Sequence, residues 1–265
     1  MTRIAIAGAA GRMGQTIVRE LQTNQVFTLT AALEHKNSEA LGKDVGFVSG
    51  IEAKNIFIQD SLNDASFDVL IDFTRPEPTM EHVALCLENK ASMVVGTTGL
   101  DDQQKDTIIK AGKHIPILLA ANTSVAVNLC ASLVEMASKV LGDVVDIEII
   151  EAHHRHKVDA PSGTALLLGE SVAKALNKDL SKDGVFERYG HTGERIAGSI
   201  GFSTIRGGDI AGEHTVMFIG ENERIEITHR ATNRKIFAQG AIRAATWLCD
   251  QQSGFYTMKD ALGLV

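Results

Sequence analysis

The sequence predicts an α/β fold in two parts, an N-terminal doubly wound parallel sheet followed by an α+β domain with a mixed sheet. In the first half, short and nearly continuous apolar strands alternate with segments of helical spacing, a pattern typical of a parallel sheet covered on both faces. After Asn122 a block of consecutive strands replaces this alternation. The length of 265 residues exceeds what one compact core usually needs, so we expect two domains.

The N-terminal sheet is predicted from short apolar runs bounded by turn residues. These strands are residues 3–7, 28–33, 67–73, 92–95 and 115–120. The helices between them are residues 13–21, 76–89 and 101–112. Pro76 supports the second helix, because the missing N–H of a proline in the first turn would have no partner there.

The second domain is predicted to begin with a long helix rich in alanine, leucine and valine, residues 124–141. Its strands are residues 144–152, 199–206, 213–220 and 224–230, with a helix over 164–176 and a polar loop over 178–193. A final helix over 235–250 is expected to return to the first domain. The predicted division is therefore 1–124 with 235–265, and 125–234.

Composition excludes several classes of partner. The net charge of −7 and the acidic pI near 5.7 argue against nucleic acid or an anionic membrane surface. No apolar run approaches the length of a membrane span. The three cysteines, Cys86, Cys130 and Cys249, have no paired spacing and fit a reducing compartment. We expect a cytoplasmic protein.

A glycine-rich turn joins the first strand to the first helix, with Gly8, Gly11 and Gly14 in the order GxxGxxG. A tight turn that leaves backbone amides free at a helix N-terminus is what a pyrophosphate needs, so a Rossmann-type dinucleotide site is predicted. Ala10 stands where the second glycine of the usual GxGxxG falls, but strand and helix flank the turn as the motif requires. The alternative is a glycine-rich turn without a ligand.

The second strand ends at Glu34, about where a carboxylate binds the adenosine ribose of NADH. Arg12, His35 and Lys36 could instead neutralise the 2′-phosphate of NADPH, so both cofactors stay open, as does a plain solvated carboxylate. Three further strand ends should meet the same sheet edge. They are residues 72–76, 96–99 and 120–123.

Residues 151–165 form a basic string, EAHHRHKVDAPSGTA, with three of the nine histidines beside Arg155 and Lys157. Potential cations concentrated in an acidic protein favour an anionic ligand, and the helix start that follows offers a second anion site. A small dicarboxylate substrate fits both, with histidine as a proton donor. The alternative is a solvated basic loop. No metal is expected, because cysteine or HExxH ligands are missing and the neighbouring cations repel one.

The same string resembles the signature of the 4-hydroxy-tetrahydrodipicolinate reductase family, long called dihydrodipicolinate reductases. The resemblance extends over the whole chain through GAAGRMG at 8–14, DFTRP at 72–76, VGTTG at 95–99, AAN at 120–122 and GHTGER at 190–195. It implies NADH- or NADPH-dependent reduction of 4-hydroxy-tetrahydrodipicolinate with loss of water, in bacterial diaminopimelate and lysine synthesis. It also implies a Rossmann domain, a substrate domain and a homotetramer formed through the substrate-domain sheets.

The resemblance assigns roles residue by residue. His153 and Lys157 are the implied proton donors. The implied substrate-binding residues are His154, Ser162, Gly163, Thr164 and Arg234. The implied cofactor-binding residues are Gly8, Ala9, Ala10, Gly11, Arg12, Met13, Glu34, His35, Gly96, Thr97, Thr98, Ala120, Ala121, Asn122 and Thr123. His35 and Thr123 depart from the family, which commonly has a basic and an aromatic residue at these two positions.

Three alternative functions differ in the residues that they need. An aldehyde dehydrogenase of the same pathway requires a cysteine nucleophile, and all three cysteines lie in apolar helical surroundings. A short-chain dehydrogenase requires Tyr-x-x-x-Lys, which neither Tyr189 nor Tyr256 provides. A dinucleotide sensor without catalytic activity would keep the glycine turn but has no use for the string from His153 to Lys157.

Overall fold

A computed structural model of the chain describes residues 1–62, 65–142 and 144–264. It divides into two compact units, Met1–Val125 with Lys235–Val265, and Ala126–Arg234. The predicted division lies within one residue of these bounds. We call them unit 1 and unit 2.

The elements follow one another along the chain as numbered here. The strands are β1 (Thr2–Ala7), β2 (Phe27–Leu33), β3 (Ile58–Gln59), β4 (Val69–Asp72), β5 (Ser92–Val95), β6 (Pro116–Leu119), β7 (Asp146–His153), β8 (Gly184–Val185), β9 (Ile200–Arg206), β10 (Gly212–Ile219), β11 (Arg224–Ala231) and β12 (Gly254–Tyr256). The helices are α1 (Arg12–Leu21), α2 (Val45–Val48), α3 (Pro76–Asn89), α4 (Asp102–Ala111), α5 (Val125–Leu141), α6 (Gly163–Ala175), α7 (Leu180–Asp183), α8 (Lys235–Leu248) and α9 (Met258–Leu262).

Unit 1 is built on a parallel sheet with the strand order β12-β6-β5-β4-β1-β2-β3. Successive side chains of a strand point to opposite faces, and both faces are buried here. Ile4 and Ile6 pack on the side of α1 and α8, whereas Ala5 and Ala7 belong to the core formed with α3 and α4. This double burial explains the continuous apolar runs, and the predicted doubly wound parallel sheet is confirmed.

Unit 2 has a mixed sheet with the order β11-β10-β7-β9-β8. β7 runs parallel to β9 and antiparallel to β10, which is itself antiparallel to β11. Helices α5 and α6 cover one face, where Val134 and Leu168 meet Ile147, Ile149 and Phe218. The predicted mixed sheet is confirmed.

The prediction of a loop over residues 178–193 is wrong in part. The short helix α7 begins after Asp179, whose carboxylate accepts the Ser181 amide at 3.0 Å, and β8 then pairs with β9 at the sheet edge. Such short elements depend on one cap and one neighbouring strand rather than on a hydrophobic period. The last strand of the sheet in unit 1, β12, depends on β6 in the same way.

The structure also describes the lengths of the helices and the state of the cysteines. In the described ranges, every helix is too short or too polar to reach from one side of a bilayer to the other. All three cysteines are free thiols.

Candidate active site

The glycine turn lies where the strand order of unit 1 reverses, because β1 has β2 on one side and β4 on the other. Ligands of doubly wound sheets bind at this point, at the carboxyl ends of the strands. Gly8 has a left-handed φ of 75°, and Gly11 is the N-cap of α1 with no side chain of its own to satisfy the first amides. No acidic residue occupies the first turn of α1. The helix therefore presents free N–H groups and a positive dipole end.

Packing explains the third glycine of the turn. A Cβ placed on Gly14 would lie 2.1 Å from the Gly8 carbonyl oxygen and 2.7 Å from the Ala9 Cα. Helix α1 can approach the turn this closely only because residue 14 has no side chain. A pyrophosphate likewise needs a turn whose backbone carries no obstructing side chains, so the turn suits this ligand.

Glu34 lies beside this turn at the end of β2. Its carboxylate accepts the Ala10 amide at 3.1 Å and the His35 amide at 3.1 Å, so the predicted residue is fixed against the glycine turn. His35 and Arg12 are exposed close by in sequence to the same strand end and helix start. The structure is therefore compatible with Glu34 binding a ribose and with Arg12 and His35 binding a 2′-phosphate, so the cofactor preference stays open.

A buried polar network that the sequence did not reveal connects the loops after β4 and β5. Asp72 is fully buried, and its carboxylate accepts from the Thr74 amide and hydroxyl and from the Thr97 hydroxyl, while His82 Nδ1 lies 2.8 Å away. Thr79 also donates to Thr97. The hydroxyl of Thr97, predicted to bind the cofactor, is thus engaged within the protein, which leaves its backbone for a ligand.

In the loop after β6, polar side chains are again hydrogen-bonded within the protein. The Thr123 hydroxyl is buried and donates to the Phe237 carbonyl at 2.7 Å, and Asn122 accepts the Ser124 amide at 2.8 Å. Ala121 and Thr98 are exposed, at the ends of β6 and β5 respectively. The predicted residues at these strand ends therefore lie at one sheet edge, with the exposed positions next to buried hydroxyls.

In unit 2, His153 forms the centre of a second site. Its Nδ1 lies 2.6 Å from Glu151 Oε2, and Glu151 in turn accepts both terminal nitrogens of Arg206 at 2.7 Å. Burial raises the pKa of Glu151, but hydrogen bonds and charges from Arg206 and His153 outweigh it and hold that pKa below its ordinary value. The carboxylate is therefore ionised at neutral pH.

Ser162, predicted to bind substrate, has its side chain engaged within the fold. It is the N-cap of α6, where its Oγ accepts the Ala165 amide at 3.1 Å and lies 2.8 Å from Nε2 of His214. Gly163 is the first residue of α6, with nothing near the position that a Cβ would occupy, and Thr164 follows it. A ligand could consequently approach this helix start at Gly163, whereas the Ser162 hydroxyl is already used within the protein.

His154 and Arg234 meet at a long hydrogen-bond distance of 3.4 Å between Nη2 and Nε2. Burial, followed by the charge of Arg234, lowers the pKa of His154, so its ring is neutral at neutral pH. A guanidinium can only donate, which leaves the ring hydrogen on Nδ1. That buried atom has no hydrogen-bond partner among the described residues and is suited to a ligand acceptor.

Lys157 extends from the same segment and binds Asp159, with Nζ 2.8 Å from each carboxylate oxygen. The predicted basic string is thus partly neutralised by the protein itself, through Glu151 and Asp159. Arg155 and His156 are exposed. No cluster of metal-ligating side chains occurs in the parts of the chain that the structure describes.

The structure brings Arg234 to His154, the sequence neighbour of His153, and it adds Glu151, Arg206 and His214 around His153. Glu151 could have been suspected from sequence, because it interrupts the buried alternation of Ile147 and Ile149 on β7. Arg206 gave no such signal, since only the pairing of β7 with β9 brings it opposite His153.

The buried ring of His214 leads to a prediction about stability. Burial, aided by the nearby charge of His153, lowers the pKa of His214 from 6.5 to about 3. Between these values the unfolded chain takes up a proton that the folded chain does not. The free energy of unfolding is therefore unaffected by His214 above pH 6.5. Below that pH it decreases as the pH falls, by up to about 1.4 kcal/mol per pH unit.

His214→Gln, which does not titrate, should therefore lose less stability than the wild type between pH 6.5 and pH 5, a range above most carboxyl titrations. Scanning calorimetry of both proteins across this range measures the difference. Parallel changes in Tm would contradict the assigned pKa of His214.

The cysteines argue against a thiol nucleophile. Burial raises the pKa of Cys86, Cys130 and Cys249, whereas a nucleophilic cysteine needs a lowered pKa. The aldehyde dehydrogenase alternative thus lacks its reactive group.

Comparisons with known proteins cover both units. Residues 2–123 match the family described as dihydrodipicolinate reductase, N-terminus, and residues 126–262 match dihydrodipicolinate reductase, C-terminus. Curated relatives from two strains of Acinetobacter baumannii, each called 4-hydroxy-tetrahydrodipicolinate reductase, are 53% identical over 264 residues, covering 99% of this chain and 96% of the relative.

Two solved structures are also similar to the chain. The dipicolinate-bound dihydrodipicolinate reductase from Paenisporosarcina sp. TG-14 is similar with a TM-score of 0.77 and 25% identity, over 97% of each chain. A myo-inositol dehydrogenase from Corynebacterium glutamicum has a TM-score of 0.58 at 13% identity, over 100% of this chain and 93% of its own, a likeness of fold alone.

Proposed function

The chain belongs to the dihydrodipicolinate reductase family, and on this premise we propose the reaction and the residues that perform it. It is an NAD(P)H-dependent oxidoreductase that reduces 4-hydroxy-tetrahydrodipicolinate to tetrahydrodipicolinate with loss of water, in diaminopimelate and lysine synthesis. The observation that carries the assignment of roles is the buried Glu151–His153 pair beside His154 and Arg234 in unit 2.

The cofactor would be held by the glycine turn and the strand ends of unit 1. The turn at residues 8–11 leads into α1, whose first amides at Arg12 and Met13 have no side-chain cap, and Glu34 with His35 would lie at the ribose end of such a site. Backbone groups at 96–98 and 120–123 complete the edge. When bound, the reduced nicotinamide supplies the hydride.

His153 supplies the proton in this proposal. Hydride addition to a conjugated imine-type ring leaves negative charge that one proton must neutralise. The Nδ1 of His153 is occupied by Glu151, so the proton leaves from Nε2. Space at Nε2 is kept by Gly212, where a Cβ would stand 3.0 Å from that nitrogen.

The carboxylates of the substrate are assigned to the cations and amides around His153. Arg234 suits one carboxylate, and the start of α6 at Gly163 and Thr164 suits the other. Lys157 serves as a second proton donor or carboxylate ligand once it leaves Asp159. The hydroxyl of Ser162 contributes by capping α6 rather than by binding the substrate.

We also propose a homotetramer and a cytoplasmic location. On the sheet face of unit 2 opposite α5 and α6, the apolar side chains of Ile150, Met217 and Ile219 are only partly covered, which supports packing against a second copy. The free cysteines support a reducing compartment. A small dicarboxylate is the substrate, and neither nucleic acid nor a membrane is a proposed partner.

The reaction is tested by generating the substrate in situ from pyruvate and aspartate semialdehyde with the preceding synthase. Addition of the chain should cause synthase-dependent loss of reduced nicotinamide absorbance with NADH, NADPH or both, and the two KM values would decide the preference. Binding of both cofactors without any oxidation would contradict the enzyme and favour a sensor.

A further inference from the structure

We propose that Glu151, held by Arg206, is a positioning residue that keeps the hydrogen of neutral His153 on Nδ1 and so makes Nε2 the atom that delivers the proton. This inference rests on the proposed function and deepens it, because it names what orients the proton donor. Glu151 acts through His153 and needs no contact with the substrate.

The Glu151 carboxylate is held from several directions at once. Arg206 Nη1 lies 2.7 Å from Oε2, and Nη2 lies 2.7 Å from Oε1. The Ser162 amide donates to Oε1 at 3.0 Å, and the Thr204 hydroxyl lies 3.3 Å from the same oxygen. Since the side chain is only 1% exposed, the carboxylate cannot turn away from His153 without breaking these bonds.

The charge of Glu151 determines which ring nitrogen of His153 carries hydrogen. An ionised carboxylate can only accept hydrogen bonds, so the Nδ1 atom 2.6 Å away must donate. Nε2 is then the lone-pair atom of the neutral ring and the second N–H of the charged ring. Every proton that His153 gives to a ligand consequently passes through Nε2.

A structural role alone would be served better by an apolar residue. Position 151 continues the face of β7 that Ile147 and Ile149 bury against α5 and α6. Burying a carboxylate there costs desolvation energy, which the Arg206 pair offsets without making charge preferable to packing. The carboxylate instead contacts the ring of His153, two residues further along the same strand.

The groups around His153 leave Glu151 as its counter-charge. Arg206 faces it from β9, His214 from β10 with ring centroids 5.1 Å apart, and His154 and Lys157 follow it in sequence. All of these are cationic or neutral. In the described parts of the chain, Glu151 is the carboxylate in hydrogen-bond contact with His153.

Glu151→Gln keeps the shape and removes the charge. We expect kcat to fall by about 10- to 100-fold with KM nearly unchanged, because the hydrogen of His153 is no longer held on Nδ1 by an anion. The matched control is Glu148→Gln. Glu148 lies on the same strand and also pairs with arginine, here with both Arg188 and Arg195, so a general effect of removing an arginine–glutamate ion pair from β7 would appear in both variants.

A second measurement needs neither turnover nor a folded Glu151 variant. Nitrogen-15 NMR of histidine-labelled wild-type protein, with His153 assigned by its loss in His153→Asn, should show neutral His153 carrying hydrogen on Nδ1. Hydrogen on Nε2 would overturn the proposal, and so would a wild-type kcat in Glu151→Gln. If the wild-type protein fails to reduce the synthase product, the proposed function is wrong, whereas the NMR result still decides the role of Glu151.

Discussion

Replacing His153 by asparagine is expected to lower kcat by about 10²- to 10⁴-fold while KM stays within about threefold of the wild-type value. The asparagine amide can still donate to Glu151 from about the place of Nδ1, where the histidine contact is 2.6 Å. What it lacks is Nε2, the atom from which the proton leaves. The loss therefore falls on the transition state rather than on substrate binding.

The control for this variant is His156→Asn. His156 belongs to the same basic string but is exposed, so its replacement should leave kcat within about twofold of the wild-type value. More than half of the wild-type kcat in this variant would exclude His153 as the acid.

Local chemistry made much of unit 1 predictable. A strand, a glycine turn and a helix follow one another in sequence, so the pattern alone indicates the turn at Gly8 and a helix from Met13, which the structure begins at Arg12. The directions of side chains do not follow from such a local pattern. The family resemblance implies cofactor binding by Thr97 and Thr123, but their hydroxyls bond to Asp72 and to the Phe237 carbonyl, partners that only the tertiary fold provides.

In unit 2 the composition of the basic string predicts a local concentration of cations. The structure shows Glu151 and Asp159 compensating His153 and Lys157 within the protein. Arg206 is 55 residues from Glu151 along the chain and reaches it because β7 and β9 pair in register. Contacts of this kind depend on strand order, which a single sequence does not specify locally.

Replacing Gly14 by alanine is expected to weaken binding of NADH and NADPH by at least about tenfold and to lower the free energy of unfolding of unit 1 by about 1–3 kcal/mol. The new Cβ would lie 2.1 Å from the Gly8 carbonyl oxygen and 2.7 Å from the Ala9 Cα, and both are backbone atoms that no rotamer change can move. Helix α1 must therefore shift away from the turn. Its free amides would shift with it.

Tryptophan fluorescence can follow the loss of stability, since the single tryptophan, Trp247, packs against the core of unit 1. Gly11→Ala is the matched control, because its Cβ would approach the same Gly8 oxygen only to 3.1 Å, a distance that a small shift accommodates. Its unfolding transition should stay close to that of the wild type. Equal stability and equal cofactor Kd in Gly14→Ala and wild type would mean that the turn does not need this close approach. The dinucleotide would then have to be held mainly by the later strand ends, because the amides of α1 could move without affecting its binding.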